Sequence, residues 1–216
     1  MNCINLGKEN SIFNRFISEI RNINIQQDSM RFRRNVERMG EIFAYEISKQ
    51  LSYQNTAITT PLGISNIPLS TDKIVLATIL RAGLPFHQGF LNYFDGAENG
   101  FIGAFRKTAA DHSFTIETEY LACPNIDNKT VILSDPMLAS GESILVALEV
   151  LKKRGNAAHI HIVALISSQV GIDYVLKNLP DNTTLWVGAI DRELNANSYI
   201  VPGLGDAGDL AYGEKI

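Results

Sequence analysis

The chain has 216 residues, 45% of them apolar and 19% charged, which suits one folded domain and argues against disorder. Its net charge of −4 argues against a general nucleic-acid surface, which needs clustered lysine and arginine, but allows a local basic pocket. Two cysteines, Cys3 and Cys123, are too few for a disulfide framework or a four-ligand zinc site. They indicate free thiols in a reducing cytoplasm. Residues 1–16 contain no apolar run, so neither a signal peptide nor a membrane anchor is expected.

Two helices are predicted in the first part of the chain. A short helical pattern runs from Ile12 to Ile20, and a longer one runs from about Ser29 to Leu51, with Asp28 or Ser29 able to cap its start. The apolar face of the longer helix is formed by Phe32, Val36, Met39, Phe43, Ile47 and Leu51. We interpret residues 1–60 as an N-terminal helical arm.

After Thr60-Pro61-Leu62-Gly63 the pattern changes to short apolar runs of strand length. These predicted strands are 73–80, 100–105, 130–135, 159–166 and 184–190. Helical patterns separate several of them, at about 84–95, 143–154 and 169–178. Buried strands that alternate with helices predict an α/β domain whose parallel sheet is covered on both faces. Ligands in such sheets bind beyond the carboxyl ends of the strands.

Residues Ser113–Tyr120 alternate strictly between polar and apolar side chains, which is typical of an exposed strand. With 106–112 they predict a hairpin arm, 106–120, outside the core. We expect this arm to close over the ligand site and exclude water.

Arginines follow two of the predicted strands. Arg81 precedes two small residues that let backbone approach a ligand, and its guanidinium suits phosphate oxygens, although an ion pair with a surface acid is an equal alternative. Arg106 and Lys107 follow the next strand and could hold a second anionic group. A solvated loop is the simpler explanation of that pair taken alone.

A small-residue loop follows the strand 130–135. Asp135 ends the strand, well placed to accept hydrogen bonds from sugar hydroxyls, and 139–143 lead into a helix. Backbone N–H groups at that helix start, with the Ser140 and Ser143 hydroxyls, predict an anion site. It is not a Walker loop, because GxxxxGK[ST] does not occur. The alternative is a plain strand-to-helix turn capped by serine, but the Asp-Pro before the loop favours function.

The C-terminal stretch 199–209 is rich in glycine. Gly203, Gly205 and Gly208 match GxGxxG, but only eight residues follow Gly208, too few for the helix and second strand of a dinucleotide fold. Close backbone contact with a flat ligand is the better interpretation.

Three stretches taken together resemble the uracil phosphoribosyltransferase family, of the type I phosphoribosyltransferase class. They are ThrIleLeuArgAlaGlyLeu, SerAspProMetLeuAlaSerGlyGluSer and TyrIleValProGlyLeuGlyAspAlaGlyAsp, in that order. The resemblance covers nearly the whole chain and implies the type I phosphoribosyltransferase fold. It also implies the reaction of uracil with 5-phosphoribosyl 1-diphosphate (PRPP) to give UMP and diphosphate, in pyrimidine salvage. Mg²⁺ would be carried on PRPP, with no direct protein ligand.

The same resemblance assigns site residues by position. Catalytic roles are implied for Arg81, Asp135 and Asp206, and Asp206 would also face the metal on PRPP. Contacts to PRPP are implied for Arg81, Arg106, Asp135, Pro136, Met137, Leu138, Ala139, Ser140, Gly141, Glu142, Ser143 and Asp206. Uracil would be bound within the segment 195–216, largely through backbone groups of Ile200, Gly205, Asp206 and Ala207.

Three positions depart from the family pattern. Glu142 replaces a glycine, Lys107 stands where an acid is common, and Leu210 stands where arginine is common. GTP activates many family members, so it is a candidate effector here, and a homo-oligomer, a dimer or larger, is expected. The alternatives are a pyrimidine regulatory protein that binds RNA on the same fold, a non-catalytic domain, and a purine-specific transferase. The acidic charge and the C-terminal loop disfavour the RNA-binding protein, intact Arg81, Asp135 and Asp206 disfavour the non-catalytic domain, and the C-terminal loop disfavours the purine transferase. Neither a nucleic-acid nor a membrane partner is expected.

Overall fold

The computed structural model of the chain describes residues 2–108 and 114–215, with side chains for 3–103 and 120–215. The strands are β1 (Asn2–Asn5), β2 (Tyr53–Thr60), β3 (Gly63–Ser70), β4 (Ile74–Leu80), β5 (Glu98–Thr108), β6 (Phe114–Ala122), β7 (Thr130–Ser134), β8 (Met137–Leu138), β9 (His159–Ser168), β10 (Thr183–Asp191), β11 (Glu193–Leu194) and β12 (Ile200–Val201). The α-helices are α1 (Ile12–Arg21), α2 (Ser29–Ser48), α3 (Gly83–Leu91), α4 (Glu142–Lys152), α5 (Gln169–Asn178) and α6 (Ala207–Tyr212).

The central sheet has the strand order β1-β10-β9-β7-β4-β5-β6, and β8 also pairs with β9. Every neighbouring pair is parallel except β5 and β6, which are antiparallel. The predicted parallel α/β fold is therefore confirmed. Its strands are buried on both faces, as their continuous apolar runs indicate.

Successive residues of each central strand enter different cores, as the two-residue period of a strand requires. Leu76 and Ile132 pack into the core beneath α1, α2, α3 and α6. Val75, Ala77 and Val131 pack into the core beneath α4 and α5. The helices of the N-terminal arm, α1 and α2, thus cover one face of the sheet together with α3 and α6.

Residues 1–60, expected as a helical arm, contain the two predicted helices and in addition a strand at each end. Residues Asn2–Asn5 form edge strand β1, which pairs with 184–187 of β10. Tyr53–Thr60 pairs with β3 across the Pro61-Leu62 turn in an exposed hairpin. That hairpin has no buried face, so it lacks the alternating pattern by which strands are predicted.

The predicted hairpin arm 106–120 corresponds to the outer part of the β5–β6 pair, in which 104–108 lie opposite 114–118. Residues 109–113 and the side chains of Arg106 and Lys107 lie outside the described residues. Within the parts of the chain that are described, no helix is long and apolar enough to cross a membrane.

Candidate active site

A cavity of about 700 Å³ opens beyond the carboxyl ends of β4 and β7, where the topology predicts a ligand site. The predicted site residues that line it are Arg81, Asp135, Met137, Leu138, Ala139, Ser140, Gly141, Ser143, Ile200, Gly205, Asp206 and Ala207. Three stretches separated by more than 50 residues therefore meet at one cavity. Pro136 and Glu142 are not part of its lining.

The loop before α4 is held open towards the cavity. Gly141 has φ +87°, and a Cβ there would lie 2.5 Å from Val175 Cγ2, so glycine is required. Ser168 Oγ donates to Ala139 O at 2.6 Å and accepts from Gly171 N at 2.8 Å, which braces the loop against α5. Among the described residues no side chain caps α4, which contradicts the alternative of a serine-capped turn. The N–H groups of its first turn are therefore available to bind an anion.

Asp135 lies at the floor of the cavity with 9% of its surface exposed. Its Oδ1 accepts a hydrogen bond from Met137 N at 3.1 Å. Burial raises the pKa of Asp135 from 3.8 to about 7, against the lowering effect of the Met137 N–H. Near neutral pH the carboxyl therefore exchanges its proton readily and can accept or donate hydrogen bonds.

Arg81 follows β4 across a cis peptide bond with Leu80. Its Nη2 donates to Asp209 Oδ1 at 2.8 Å and its Nη1 to Gly213 O at 3.4 Å. The guanidinium thus lines the cavity and also pairs with an acid, which combines the two interpretations considered for it. Since the Arg81 side chain is 40% exposed, it remains accessible to a ligand anion.

Asp206 is the N-cap of α6, and its Oδ1 accepts from Gly208 N at 2.8 Å and Asp209 N at 3.0 Å. Its Oδ2 lies 3.2 Å from Lys215 Nζ. Burial works to raise the pKa of Asp206, but the hydrogen bonds from Asp209, Lys215 and Gly208 outweigh it and lower the pKa. Asp206 is therefore an anion at neutral pH, fixed in place by α6.

Two carboxylates, Asp135 and Asp206, line the cavity, and they are the groups that could approach a metal. Within 2–108 and 114–215, no cluster of three or more His, Cys, Asp or Glu side chains could hold one. Mg²⁺ commonly takes one or two carboxylates and completes its shell with substrate phosphates and water. The donor set therefore fits a metal that arrives with a phosphorylated substrate.

The three histidines within the described side chains pair inside the fold. His87 Nε2 lies 2.7 Å from Asn99 Oδ1, and His159 Nε2 lies 3.0 Å from Thr184 Oγ1. Trp186 Nε1 donates to His161 Nδ1 at 3.1 Å, and burial followed by repulsion from His159 lowers the pKa of His161 to about 4. None of these three lines the cavity; His87 and His161 are buried in the core, and His159 is half-buried.

Sequence reasoning did not assign Lys215, Ser198 or Tyr199 to the site, yet all three line the cavity. Tyr199 could have been included, since it adjoins Ile200 in the glycine-rich stretch. Nothing in the residues around Lys215 indicates a role in the site, because Lys215 reaches Asp206 only through the folding of the chain after α6.

Comparisons with known proteins agree with this geometry. The family model described as uracil phosphoribosyltransferase matches residues 8–214. The uracil phosphoribosyltransferase of Porphyromonas gingivalis is 56% identical over 216 residues, which cover 100% of both chains. That of Methanococcus vannielii is 39% identical over 92% of this chain and 84% of its own.

Solved structures point to the same fold. A protein of Aquifex aeolicus superposes with a TM-score of 0.87 at 27% identity over 99% of each chain. A hypoxanthine phosphoribosyltransferase of Staphylococcus aureus has a TM-score of 0.51 at 14% identity over 74% of each chain, a likeness of fold alone. With the family match over 8–214 and a relative 56% identical over its full length, this chain belongs to the uracil phosphoribosyltransferase family.

Proposed function

We propose that this chain transfers the 5-phosphoribosyl group of PRPP to uracil and releases UMP and diphosphate. One cavity joins an uncapped helix start, Arg81 and a glycine-rich loop, and this juxtaposition carries the proposal. The two relatives described above bear the name of this activity and cover most or all of the chain.

The first part of the site would bind the phosphorylated sugar. The 5-phosphate would lie against the N–H groups at the start of α4, with the Ser140 and Ser143 hydroxyls beside them. Asp135 would accept hydrogen bonds from the ribose hydroxyls. Arg81 would exchange Asp209 for the diphosphate, whose greater negative charge makes it the stronger partner, and Arg106 is proposed as a second contact.

The second part would bind uracil, mainly through backbone groups of Ile200, Gly205, Asp206 and Ala207. Uracil presents a fixed order of acceptors and donors along one edge, and a backbone loop cannot reverse its own order to suit another base. Cytosine reverses two of those groups and would leave buried polar atoms unpaired. Such a mismatch can reduce turnover by roughly 10⁴-fold.

The reaction breaks the bond between the anomeric carbon and the diphosphate oxygen and forms a bond from that carbon to uracil N1. The N1 proton passes to water or to the departing diphosphate. Positive charge builds on the ribose, so alignment of the reactants and stabilisation of the leaving group are the main contributions expected from the protein. Arg81 supplies charge at the leaving group, and Mg²⁺ bound to the diphosphate would supply more. Asp206, which lines the cavity, would face PRPP and its metal.

The remaining proposals concern setting and regulation. A homo-oligomer is supported by the exposed hairpin β2–β3, where Leu62 is 99% and Ile64 75% exposed. A cytoplasmic location is supported by Cys3 and Cys123, which are free thiols. GTP is proposed as an effector, and adding it to the assay below tests this.

The deciding experiment measures UMP formation from uracil, PRPP and Mg²⁺, beside parallel reactions with cytosine, hypoxanthine and guanine. Of the four bases, we expect only uracil to give product, and we expect Arg81→Met to lose most of the activity. Arg154→Met, which removes an exposed arginine beyond the far end of α4, serves as the matched control. Absence of UMP under all conditions would overturn the proposal. A tight, salt-dependent affinity for RNA without turnover would favour the regulatory alternative.

A further inference from the structure

A charged pair joins the N-terminal arm to the end of the sheet. Arg21 is the last residue of α1, and Asp191 is the last residue of β10. Arg21 Nη1 donates to Asp191 Oδ2 at 2.8 Å, and Nη2 donates to Oδ1 at 3.0 Å. Two parallel hydrogen bonds of this kind fix both the distance and the orientation of the two groups.

The same pair holds both backbone polar groups of Gly203. Arg21 Nη1 donates to Gly203 O at 3.0 Å, and Gly203 N donates to Asp191 Oδ2 at 3.0 Å. Gly203 has φ +55°, and a Cβ there would lie 2.1 Å from Ile200 O, so only glycine fits this turn. Since Gly203 lies between Ile200 and Gly205, the pair sets the position of the loop that lines the cavity.

Burial makes this attachment specific. The Asp191 side chain is 8% exposed and that of Arg21 is 21% exposed, so water competes weakly for either charge. On either side of Gly203, Ile200 and Leu204 are 4% and 5% exposed and belong to the core. The loop is therefore fixed at its centre by charge and at its flanks by packing.

We propose that Arg21 and Asp191 are positioning residues for recognition of the base. Neither lines the cavity, so they act through Gly203 on the backbone groups of the loop 200–207. The inference rests on the proposed function, in which that loop binds uracil. The phosphate loop belongs to β7 and α4, so the apparent affinity for PRPP should be nearly independent of this pair.

Arg21→Lys and Asp191→Asn test this, singly and together. Lysine retains the charge of Arg21 but lacks the planar fork, and asparagine retains the shape of Asp191 without its charge. The control in the same helix is Arg15→Lys, which alters a single-contact ion pair with Glu19 (Arg15 Nε to Oε1, 3.0 Å) that is more exposed at the arginine and lies away from the loop. For each protein we would measure KM for uracil, KM for PRPP, turnover of cytosine and the melting temperature.

We expect each single variant to raise KM for uracil by about tenfold, the equivalent of about 1.4 kcal/mol, and to leave KM for PRPP within about twofold. The ratio of uracil to cytosine turnover should fall. The double variant should be little worse than either single one, because both break the same contact to Gly203. Arg15→Lys should leave both Michaelis constants unchanged.

Two results would overturn the inference: unchanged kinetics in both variants, or equal changes in the two Michaelis constants that follow the melting temperature. The second would mean that the pair supports the fold alone. If the wild-type chain forms no UMP, the proposed function fails, and amide hydrogen exchange in 200–207 decides about the pair. Faster exchange there in Arg21→Lys than in Arg15→Lys would support positioning, whereas equal exchange would refute it.

Discussion

Replacing Asp135 by asparagine should stabilise the folded chain at alkaline pH. The carboxyl is buried at the floor of the cavity, and burial raises its pKa from 3.8 to about 7. Asparagine keeps the size of the side chain and an oxygen that can accept the hydrogen bond from Met137 N, but it cannot ionise. The substitution therefore isolates the cost of holding a charge at this position.

That cost depends on pH in a defined direction. Because the folded pKa lies above the unfolded value, the stability associated with the protonated carboxyl is complete below about pH 4 and is lost as pH rises to 7. Each tenfold change in proton affinity is worth about 1.4 kcal/mol, so the loss approaches roughly 4 kcal/mol above pH 7. For a chain of this size a change of 1 kcal/mol moves the melting temperature by roughly 2–4 °C.

Thermal melts without substrate at pH 5 and pH 8 would measure this effect. The gain of Asp135→Asn over the wild type should already be present at pH 5, since the loss begins near pH 4, and should be about twice as large or more at pH 8. Asp181→Asn, in the exposed turn before β10, is the matched control and should show the same difference at both pH values. If Asp135→Asn gained no stability between pH 5 and pH 8, the carboxyl would be ionised in the folded chain well below neutral pH, and the reasoning would be wrong.

Three further substitutions have defined outcomes. Glu142→Gly should lower KM for PRPP by roughly two- to fivefold, because it removes a negative charge beside the proposed anion site. The repulsion between that charge and a bound phosphate is expected to be about 0.3–1 kcal/mol. Gly203→Ala should raise KM for uracil and lower the melting temperature, since its Cβ would lie 2.1 Å from Ile200 O. Glu19→Gln should lower the free energy of unfolding in urea at pH 7, because hydrogen bonds from Asn35 and neighbouring arginines lower the Glu19 pKa to about 2. That difference should shrink as pH falls from 4.5 towards 2.

Each of these outcomes has a clear contradiction. An unchanged or raised KM in Glu142→Gly would show that this carboxylate does not repel the substrate. For the melting temperature, Gly205→Ala is the control for Gly203→Ala, because Gly205 also has positive φ but a Cβ there would meet nothing within 4 Å. Equal losses of melting temperature in the two would assign the loss in Gly203→Ala to backbone strain alone. A pH-independent loss in Glu19→Gln would show that its charge contributes nothing.

The central sheet could be predicted because its strands bury both faces. Ile74–Leu80 is almost wholly apolar, and neither a loop nor an exposed strand tolerates such a run. Gly141 and Ser143 could be predicted to line the cavity, because a small-residue loop between a buried strand and a helix is typical of a ligand site. The cavity residues from three distant stretches could be grouped because parallel strands end at one edge.

The hairpin β2–β3 and the edge strand β1 were missed because neither carries a complete buried face. Along Tyr53–Thr60, seven of eight side chains are exposed, so burial imposes no alternation on that strand. Leu62, at the turn, is almost fully exposed, so its apolar side chain gave no indication of a buried strand nearby. Such strands are held by backbone hydrogen bonds, which place little constraint on which side chains occur, so the sequence does not indicate the strand.

The sequence predicts an N-terminal arm, a hairpin and a C-terminal binding segment as separate parts of the domain. The contacts of α1 show that the N-terminal helices are instead part of the core. Phe13 and Ile20 of α1 are buried in the core under the sheet, and Arg21 ends the same helix against Asp191. Any change that displaces α1 therefore moves Gly203 as well. Arg21 and Asp191 lie 170 positions apart, so no local pattern could pair them. The loop that lines the cavity is thus held by residues from both ends of the chain, and under the proposed function base recognition would depend on the packing of the whole domain.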